Sequence, residues 1–339
     1  MHSYLKSIGF SEIGGKKEVD KILKDVVNNY DEKVVVEDRP NHLFAELSKI
    51  YGCDFGITVC GEYDENNEFQ MEYYFPYFRG TGIATQEEVM IEKHAGKESF
   101  AGAIDDVRVG VTIIFYLQNA GAYLTERSHG TYAGGAYPVT LAALAKEGKI
   151  LLPVKKDENQ EIKEKENSVN RSRMIAAARN GDEEAMENLT MEDIDTYSMI
   201  SGRISNEDLY SIVDTYFMPY GMECDLYNVM GEITDFSRVR NIATDERIYE
   251  LRISCNDLDL DICINKNDLI GEPEVGRRFK GVIWLQGNVH FYIRDEMNGT
   301  VETVPVCVTD ILSDLQRHEF PFAFCIWQRF FLIWESPAA

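Results

Sequence analysis

The chain has 339 residues, enough for two or three domains with their own cores, and its hydrophobic (44%) and charged (27%) fractions are ordinary for a globular protein. Its formal net charge of −24 is not ordinary, and the negative charge is spread over the whole chain. An acidic surface repels phosphate backbones and anionic lipid headgroups. The composition therefore argues against general nucleic-acid binding and against electrostatic adhesion to membranes.

The seven cysteines indicate a reducing compartment. Their number is odd, and no two of them have the CxxC spacing of a redox or zinc motif. The start, MHSYLKSIGF, lacks the charged and apolar regions of a secretory signal. No stretch reaches the ~18 apolar residues that a membrane-spanning helix needs. We therefore expect a cytoplasmic protein with free, mostly buried thiols.

Residues 1–154 are predicted to form an α+β domain. The segment 16–29 places its apolar residues three and four apart, which predicts an amphipathic first helix. Short β-rich runs follow it at 34–36, 43–50, 55–59 and 69–78. The last two are expected to pair across the polar turn at 64–67, and consecutive strands of this kind favour a mainly antiparallel sheet.

Two further strand predictions complete this segment. Residues 109–117, VGVTIIFYL, are apolar on both faces, as is typical of a central strand. The polar residues 146–149 predict a hairpin turn between strands at 139–144 and 150–154.

Residues 155–170, KKDENQEIKEKENSVN, are a run of charge that is almost free of apolar residues, which predicts a solvated linker. A helical segment is predicted at 171–218. Gly181 ends one helix and Asp182 can cap the next, while Thr190 begins a capping box.

The last predicted helix of this segment begins near Ser205 and ends at Pro219. Its apolar residues recur at helical spacing. They are Leu209, Ile212, Val213, Tyr216 and Phe217.

Residues 219–300 are predicted to form a small β-barrel, OB-like or SH3-like. Strands are expected at 226–233, 246–255, 258–265 and 279–293. Asn256 and Asp257 form a tight turn between the second and third of them, and Trp284 is expected in the barrel core. The predicted fold is thus α+β: an N-terminal sheet with a helix, a short helical connector and a C-terminal small barrel.

Residues 301–339 form an apolar C-terminal tail. Within it, 320–334 (FPFAFCIWQRFFLIW) is rich in aromatic residues and carries one charge. Three interpretations remain open: a buried closing element, a segment that contacts a partner or a membrane surface, and an aberrant terminus that is not selected for folding.

Three segments resemble a known family: MHSYLKSIGFSEI at 1–13, LTMEDIDTYSMISGRISNEDLYSIVDTYFMPYGMECD at 189–225, and CNDLDLDICINKNDLIGEPEVGRRFKGVIWLQG at 255–287. The chain is similar in them to an uncharacterised clostridial (Firmicutes) family, classified as a domain of unknown function. The resemblance implies a cytoplasmic bacterial protein of about this length, and it carries over no activity and no site residues. The region 320–339 departs from the family.

The best loop for a binding site is 125–138, TERSHGTYAGGAYP, because loops held by a rigid sheet are where binding residues concentrate. Its candidate ligand-binding residues are Arg127, Ser128, His129 and Tyr132, and His129 has the chemistry of a general base near neutral pH. The alternative is a surface loop without a function.

A group of basic residues in the predicted barrel suggests that the protein could bind nucleic acid. Small barrels bind single strands with basic and aromatic residues, and Arg277, Arg278 and Lys280 precede an aromatic strand. Nearby acidic residues offset their charge, so we treat this as a minor alternative. The six scattered histidines and the absence of a phosphate-loop motif in the sequence assign no metal and no cofactor.

Three functions follow from these patterns. The first is a cytoplasmic, non-enzymatic adaptor or regulatory protein that works through protein–protein contacts, with a partner or with a second copy. The second is a small-molecule-binding protein or enzyme with a pocket near 125–138. The third is single-strand binding by the barrel.

Overall fold

The computed structural model describes residues 3–40, 42–94, 99–106, 108–109, 111–132, 134–154, 170–171, 173–178, 181–204, 210, 213–291, 293–294 and 301–302. The chain divides into two compact units, Met1–Phe291 and Tyr292–Ala339. The first contains both of the predicted sheet regions and is described first.

The N-terminal sheet has four antiparallel strands in sequential order. They are β1 (Glu32–Arg39), β2 (His42–Ile50), β3 (Phe55–Tyr63) and β4 (Phe69–Phe78). Helix α1 (Lys16–Asn28) packs on β2 and β3 through its buried residues Val19, Leu23 and Val26. The predicted helix and the predicted pairing of β3 with β4 are both confirmed.

A second, eleven-stranded sheet contains the other strands among the described residues of this unit. Its strands are β5 (Glu88–Lys93), β6 (Phe100–Asp105), β7 (Thr112–Leu117), β8 (Gly135–Ala136), β9 (Val139–Leu151), β10 (Tyr216–Pro219), β11 (Leu226–Arg240), β12 (Arg247–Cys255), β13 (Leu258–Asn265), β14 (Leu269–Ile270) and β15 (Arg278–Val289). As predicted for the apolar run at 109–117, β7 lies inside the sheet, between β15 and β6.

Five of these strands close into a barrel. β11 pairs with β12, β12 with β13, β13 with β9, β9 with β15, and β15 with β11. Only the contact between β13 and β9 is parallel. One parallel contact among antiparallel ones is a feature of OB-like rather than SH3-like barrels, and the strand that makes it precedes the other four in the chain.

The predicted hairpin at 139–154 was wrong, because β9 is one continuous strand through the polar residues 146–149. Gly148 belongs in the strand because a side chain there would collide with Phe279: a Cβ would lie 2.4 Å from its ring. The four strands predicted within 219–300 are confirmed, and β9 supplies the fifth from outside that segment. The predicted domain boundaries stay a prediction.

The helices also differ from the helical connector that was predicted at 171–218. Besides α1, the structure has α2 (Ala120–Ser128), α3 (Glu183–Ile204) and two 3₁₀ turns, Leu5–Ile8 and Lys266–Asp268. The described residues 170–171 and 173–178 are also helical. Asp182 caps α3 as predicted, since its Oδ1 accepts from the Ala185 N–H at 3.1 Å. The predicted helix start at Thr190 was wrong, because Thr190 lies inside α3. Tyr216–Pro219 is strand β10, not a helix end, because it pairs with β11.

The N-terminal 3₁₀ turn is bound to the barrel. The ring of Tyr4 lies 5.3 Å from that of Trp284, which is buried as predicted. On the other side of the turn, the Ile8 carbonyl accepts from Asn241 Nδ2 at 2.7 Å. The segment 241–246 between β11 and β12 is therefore held in place by the start of the chain.

The second unit has one short antiparallel pair among its described residues, β16 (Ile293–Arg294) with β17 (Val301–Glu302). The apolar segment predicted at 320–334 lies outside the described residues. In the part of the chain that the structure describes, no helix combines the length and the apolarity needed to span a membrane.

Candidate anion-binding cleft

The first residues of the segment 125–138, which was predicted to be a loop, form the C-terminal end of helix α2. Arg127 and Ser128 belong to the last turn of α2, and His129 follows them at its C-terminal cap. All three are exposed. Ser128 Oγ donates to the Thr125 carbonyl at 2.9 Å, which is a local helix contact rather than a site contact.

The side chain of Tyr132 does not lie with those of Arg127, Ser128 and His129. Its hydroxyl donates to the Val89 carbonyl at 3.1 Å, and its ring stacks on Tyr137 with centroids 6.0 Å apart. Tyr123 and Phe291 complete this aromatic cluster. Burial raises the pKa of Tyr132. The structure thus places Tyr132 in a packed cluster and the other three candidates on the exposed helix end, and their binding role stays a prediction.

The second set of predicted residues is engaged within the fold. Arg278 is buried, and its guanidinium donates to the carbonyls of Leu152 and Tyr210. Lys280 donates to the Tyr210 hydroxyl and lies over its ring. Arg277 pairs with Glu274 at 2.8 Å.

A basic cleft lies instead at the far end of the β11–β12 pair. It has a volume of about 360 Å³. Its polar lining consists of Arg238 and Arg240 from β11, Arg247 and Tyr249 from β12, Lys266 from the 3₁₀ turn, and Glu272 from the segment after β14. The sequence analysis did not single out any of these residues.

Strand register explains how the cations converge. Arg240 is directly opposite Arg247, and Arg238 is directly opposite Tyr249. Side chains two residues apart on a strand share a face, so these four form a two-by-two array on one surface. Two arginines directly opposite each other repel, and such cross-strand pairs are destabilising.

The two ends of the cleft differ in how far their charge is neutralised. At one end, Glu272 Oε2 lies 3.5 Å from Arg238 Nη2 and accepts from the Tyr249 hydroxyl at 2.9 Å. Burial and this hydrogen bond raise the pKa of Tyr249.

At the other end, Arg240 pairs with the exposed Asp245 at 2.6 Å. Neither Arg247 nor Lys266 has an ion pair with any residue in the described ranges. Four cations against two carboxylates leave the cleft positive by two charges, within a chain of net charge −24.

The cleft is rigid at its turn. Asn241 Oδ1 accepts from the Ala243 N–H at 2.8 Å, and Thr244 Oγ1 donates to the Gly9 carbonyl at 2.6 Å. Gly9 has a φ of 91°, and a Cβ there would lie 2.8 Å from Asn241 Cβ. Contacts with the N-terminal segment therefore preorganise the ends of β11 and β12.

Chemically, the cleft can hold an anion. Guanidinium groups match carboxylate and phosphate oxygens in bidentate geometry. Within the described residues, no cluster of three or more histidine, cysteine or carboxylate side chains is arranged to hold a metal ion.

Comparison with known proteins gives one match. Residues 5–287 match the family model described as "Domain of unknown function, E. rectale Gene description (DUF3881)". The searches of curated proteins and of solved structures found no match.

Proposed function

Since this chain belongs to the DUF3881 family, a domain of unknown function, we propose from the cleft itself that the protein binds a small anionic ligand. The observation that carries the proposal is the cross-strand pair Arg240–Arg247 beside Lys266. Asp245 offsets the charge of Arg240 alone. Among the described residues, no carboxylate offsets the charges of Arg247 and Lys266, and a bound anion would neutralise them and relieve the repulsion between the two arginines. The proposal moves the binding site of the small-molecule alternative from 125–138 to the barrel.

The charge of the whole chain favours a small ligand. An extended polyanion that reached the cleft would also be repelled by the rest of a chain whose net charge is −24. A small anion contacts the cleft alone and meets the local positive potential there. The cleft volume of about 360 Å³ lies at the lower end of the range for small-molecule sites.

Replacing Arg247 with threonine tests the proposal. In sodium chloride, Arg247→Thr should raise the free energy of unfolding by about 0.5 kcal/mol, because it removes the repulsion from Arg240. In sodium phosphate of equal ionic strength, the wild type should gain more stability than the variant. A ligand at about 100 times its Kd adds about 2.7 kcal/mol. Thermal and urea denaturation in both salts measure these differences.

The exposed Arg127 provides the matched control. Arg127→Ala removes one positive charge from the predicted loop region and should keep the full phosphate effect. Phosphate also stabilises proteins generally, so only the difference between variants is informative. Equal phosphate stabilisation of the wild type and Arg247→Thr would contradict the proposal.

A second candidate function is the adaptor role, which an exposed apolar patch favours. Met218, Tyr220 and Met222 are exposed at and just after the edge strand β10. Exposed apolar residues that cluster at a sheet edge are typical of protein contact sites. Native mass spectrometry of gently purified protein should then show a stoichiometric companion that Met218→Ser/Met222→Ser loses. A companion retained by this variant would place the contact elsewhere.

We also propose that the protein is cytoplasmic. The cysteines in the described ranges form no disulfide with one another, as expected of a reducing compartment. Fractionation of the bacterial cells should recover the protein with cytoplasmic markers, and recovery with the secreted fraction would contradict this.

A further inference from the structure

The two ends of the cleft suit two different chemical groups. Arg240, Arg247 and Lys266 form a cationic end. Among the described residues, the one carboxylate paired with it is that of Asp245, whose side chain is 78% exposed. The opposite end has Arg238, Glu272 and the ring of Tyr249, and its charges are paired. A ligand that fills the cleft therefore needs an anionic group at one end and a neutral group with hydrogen-bond donors and a flat face at the other.

We propose that the ligand is a nucleoside phosphate, with its phosphate at the cationic end and its sugar and base at the paired end. This inference rests on the proposed anion-binding function and specifies the ligand class of the same site. Arg240, Arg247 and Lys266 bind the phosphate oxygens. Arg238 and Glu272 bind the nucleoside.

Arg238 is a stacking platform for the base. Its guanidinium lies 5.6 Å from the ring centroid of Tyr249 and 5.7 Å from that of Phe236. These contacts restrain the planar group, while its side chain remains 64% exposed. A nucleobase stacks favourably on a guanidinium plane, and its identity matters little for stacking because every base has a π-face.

Glu272 is the acceptor for the sugar. Its Oε2 already accepts from Tyr249 and contacts Arg238, but the side chain is 59% exposed. A carboxylate has about four lone-pair positions, so positions remain for donors from the ligand. Ribose hydroxyls and base amino groups are donors of this kind. Inorganic phosphate and simple dicarboxylates have neither the hydroxyl and amino donors of a nucleoside nor a flat ring, so they would not fill this end of the cleft.

The dimensions of the array fit one nucleotide. Arg238 and Arg240 are two residues apart on a strand, which separates their Cα atoms by about 6.8 Å. This spacing suits a phosphate and a nucleoside joined by one ester linkage. The volume of about 360 Å³ and the net charge of −24 on the whole chain oppose a longer strand.

Isothermal titration calorimetry on the full chain tests the ligand class. The probes are inorganic phosphate, ribose 5-phosphate, and the 5′-monophosphates of adenosine, guanosine, cytidine and uridine. We expect at least one nucleotide to bind about tenfold more tightly than ribose 5-phosphate, because base stacking adds to the phosphate contacts. Inorganic phosphate should bind most weakly.

Variants separate the two ends. Arg247→Thr should weaken all the phosphate-bearing probes about tenfold, since each loses a charge-assisted hydrogen bond. Arg238→Ala should weaken the nucleotide about tenfold and inorganic phosphate by a smaller factor. Arg127→Ala should bind every probe as the wild type does.

The outcomes distinguish the inference from the function on which it rests. If inorganic phosphate binds in an Arg247-dependent manner but no nucleotide exceeds ribose 5-phosphate, the nucleoside assignment is overturned and anion binding stands. If no probe binds, both are overturned. Nucleotide binding that is unaffected by both Arg247→Thr and Arg238→Ala would place the nucleotide outside this cleft and also overturn the assignment.

Discussion

Replacing Arg278 with methionine should lower the free energy of unfolding by about 4 kcal/mol, the largest effect that we expect from any single substitution in this chain. Arg278 is 6% exposed, and methionine keeps much of its length while removing every donor. The backbone carbonyls that it binds would lose their partly buried hydrogen bonds from a charged donor. Each such bond is worth about 1.5–3 kcal/mol. Urea denaturation of both proteins measures the difference.

The size of this effect follows from what Arg278 joins. Its guanidinium donates to Leu152 at 3.0 Å, Tyr210 at 2.8 Å and Val213 at 2.9 Å. Leu152 directly follows β9, and Val213 lies shortly before β10. One buried side chain on β15 therefore contacts both ends of the long segment that leaves the barrel after β9 and rejoins the eleven-stranded sheet at β10.

The neighbouring Arg277 is a matched control. It pairs with Glu274 and donates to the Glu272 carbonyl at 2.9 Å, but its side chain is 29% exposed. Partly exposed ion pairs contribute little, so Arg277→Met should cost about 1 kcal/mol or less. Equal losses for the two variants would show that Arg278 contributes no more than a surface arginine.

The second large effect is expected at Glu46, where Glu46→Gln should stabilise the protein by about 3 kcal/mol at pH 8. Glu46 lies on β2 and is 7% exposed. Its carboxyl is hydrogen-bonded to the backbone N–H groups of Ala120 and Gly121 at the start of α2, whereas Oε1 has no partner among the described residues. Burial raises its pKa from 4.5 to about 7, against the lowering effect of the two N–H groups.

The sign of the pH dependence follows from this raised pKa. Between pH 4.5 and 7, the unfolded chain loses the Glu46 proton while the folded chain keeps it. The contribution of Glu46 to stability therefore falls as the pH rises through this interval, and it is constant above and below it. Glutamine resembles the protonated carboxyl and does not titrate, so the variant should exceed the wild type only above about pH 5.

The groups around Glu46 stay neutral over this range. Burial raises the pKa values of Cys60, Tyr73 and Tyr116, all three of which interact with Glu46. Subtracting the stability curve of Glu46→Gln from that of the wild type thus isolates one titration. The exposed Glu65 serves as a control, and Glu65→Gln should leave the curve unchanged. A difference that is independent of pH would contradict the raised pKa.

Local signals predicted the N-terminal sheet well. The turn between β3 and β4 is encoded in adjacent residues, and Asn67 adopts a φ of 62° that asparagine tolerates. Asn256 and Asp257 likewise adopt φ values of 52° and 59° at the predicted turn between β12 and β13. Pairings between neighbouring strands follow from such turns, which is why most of the strands could be predicted.

The fifth barrel strand could not be predicted in the same way. β9 pairs with β13 and β15, which lie more than a hundred residues further along the chain. Its polar residues 146–149 resemble a turn when read alone. Only Phe279, which fills the space beside Gly148, shows why a glycine stands in a strand there.

The cleft could not be predicted from the sequence for a related reason. Arg238 and Arg240 alternate along a strand, and each resembles an ordinary outward-facing residue. A signal was present in SRVRNIATDERIYE, because a turn at 241–246 brings Arg247 back towards Arg240. The exact register, which depends on an irregularity between Ile233 and Asp235, decides that the two arginines are opposite rather than staggered.

The most direct test of anion binding is an NMR titration of the full chain, labelled with ¹⁵N-arginine, with inorganic phosphate. The side-chain Nε–Hε signals report on each guanidinium separately. We expect saturable shifts at Arg240 and Arg247, and none that saturate at the exposed Arg39 and Arg127. Shifts of equal size at all four residues, rising without saturation, would mean nonspecific screening and would contradict the cleft as a binding site.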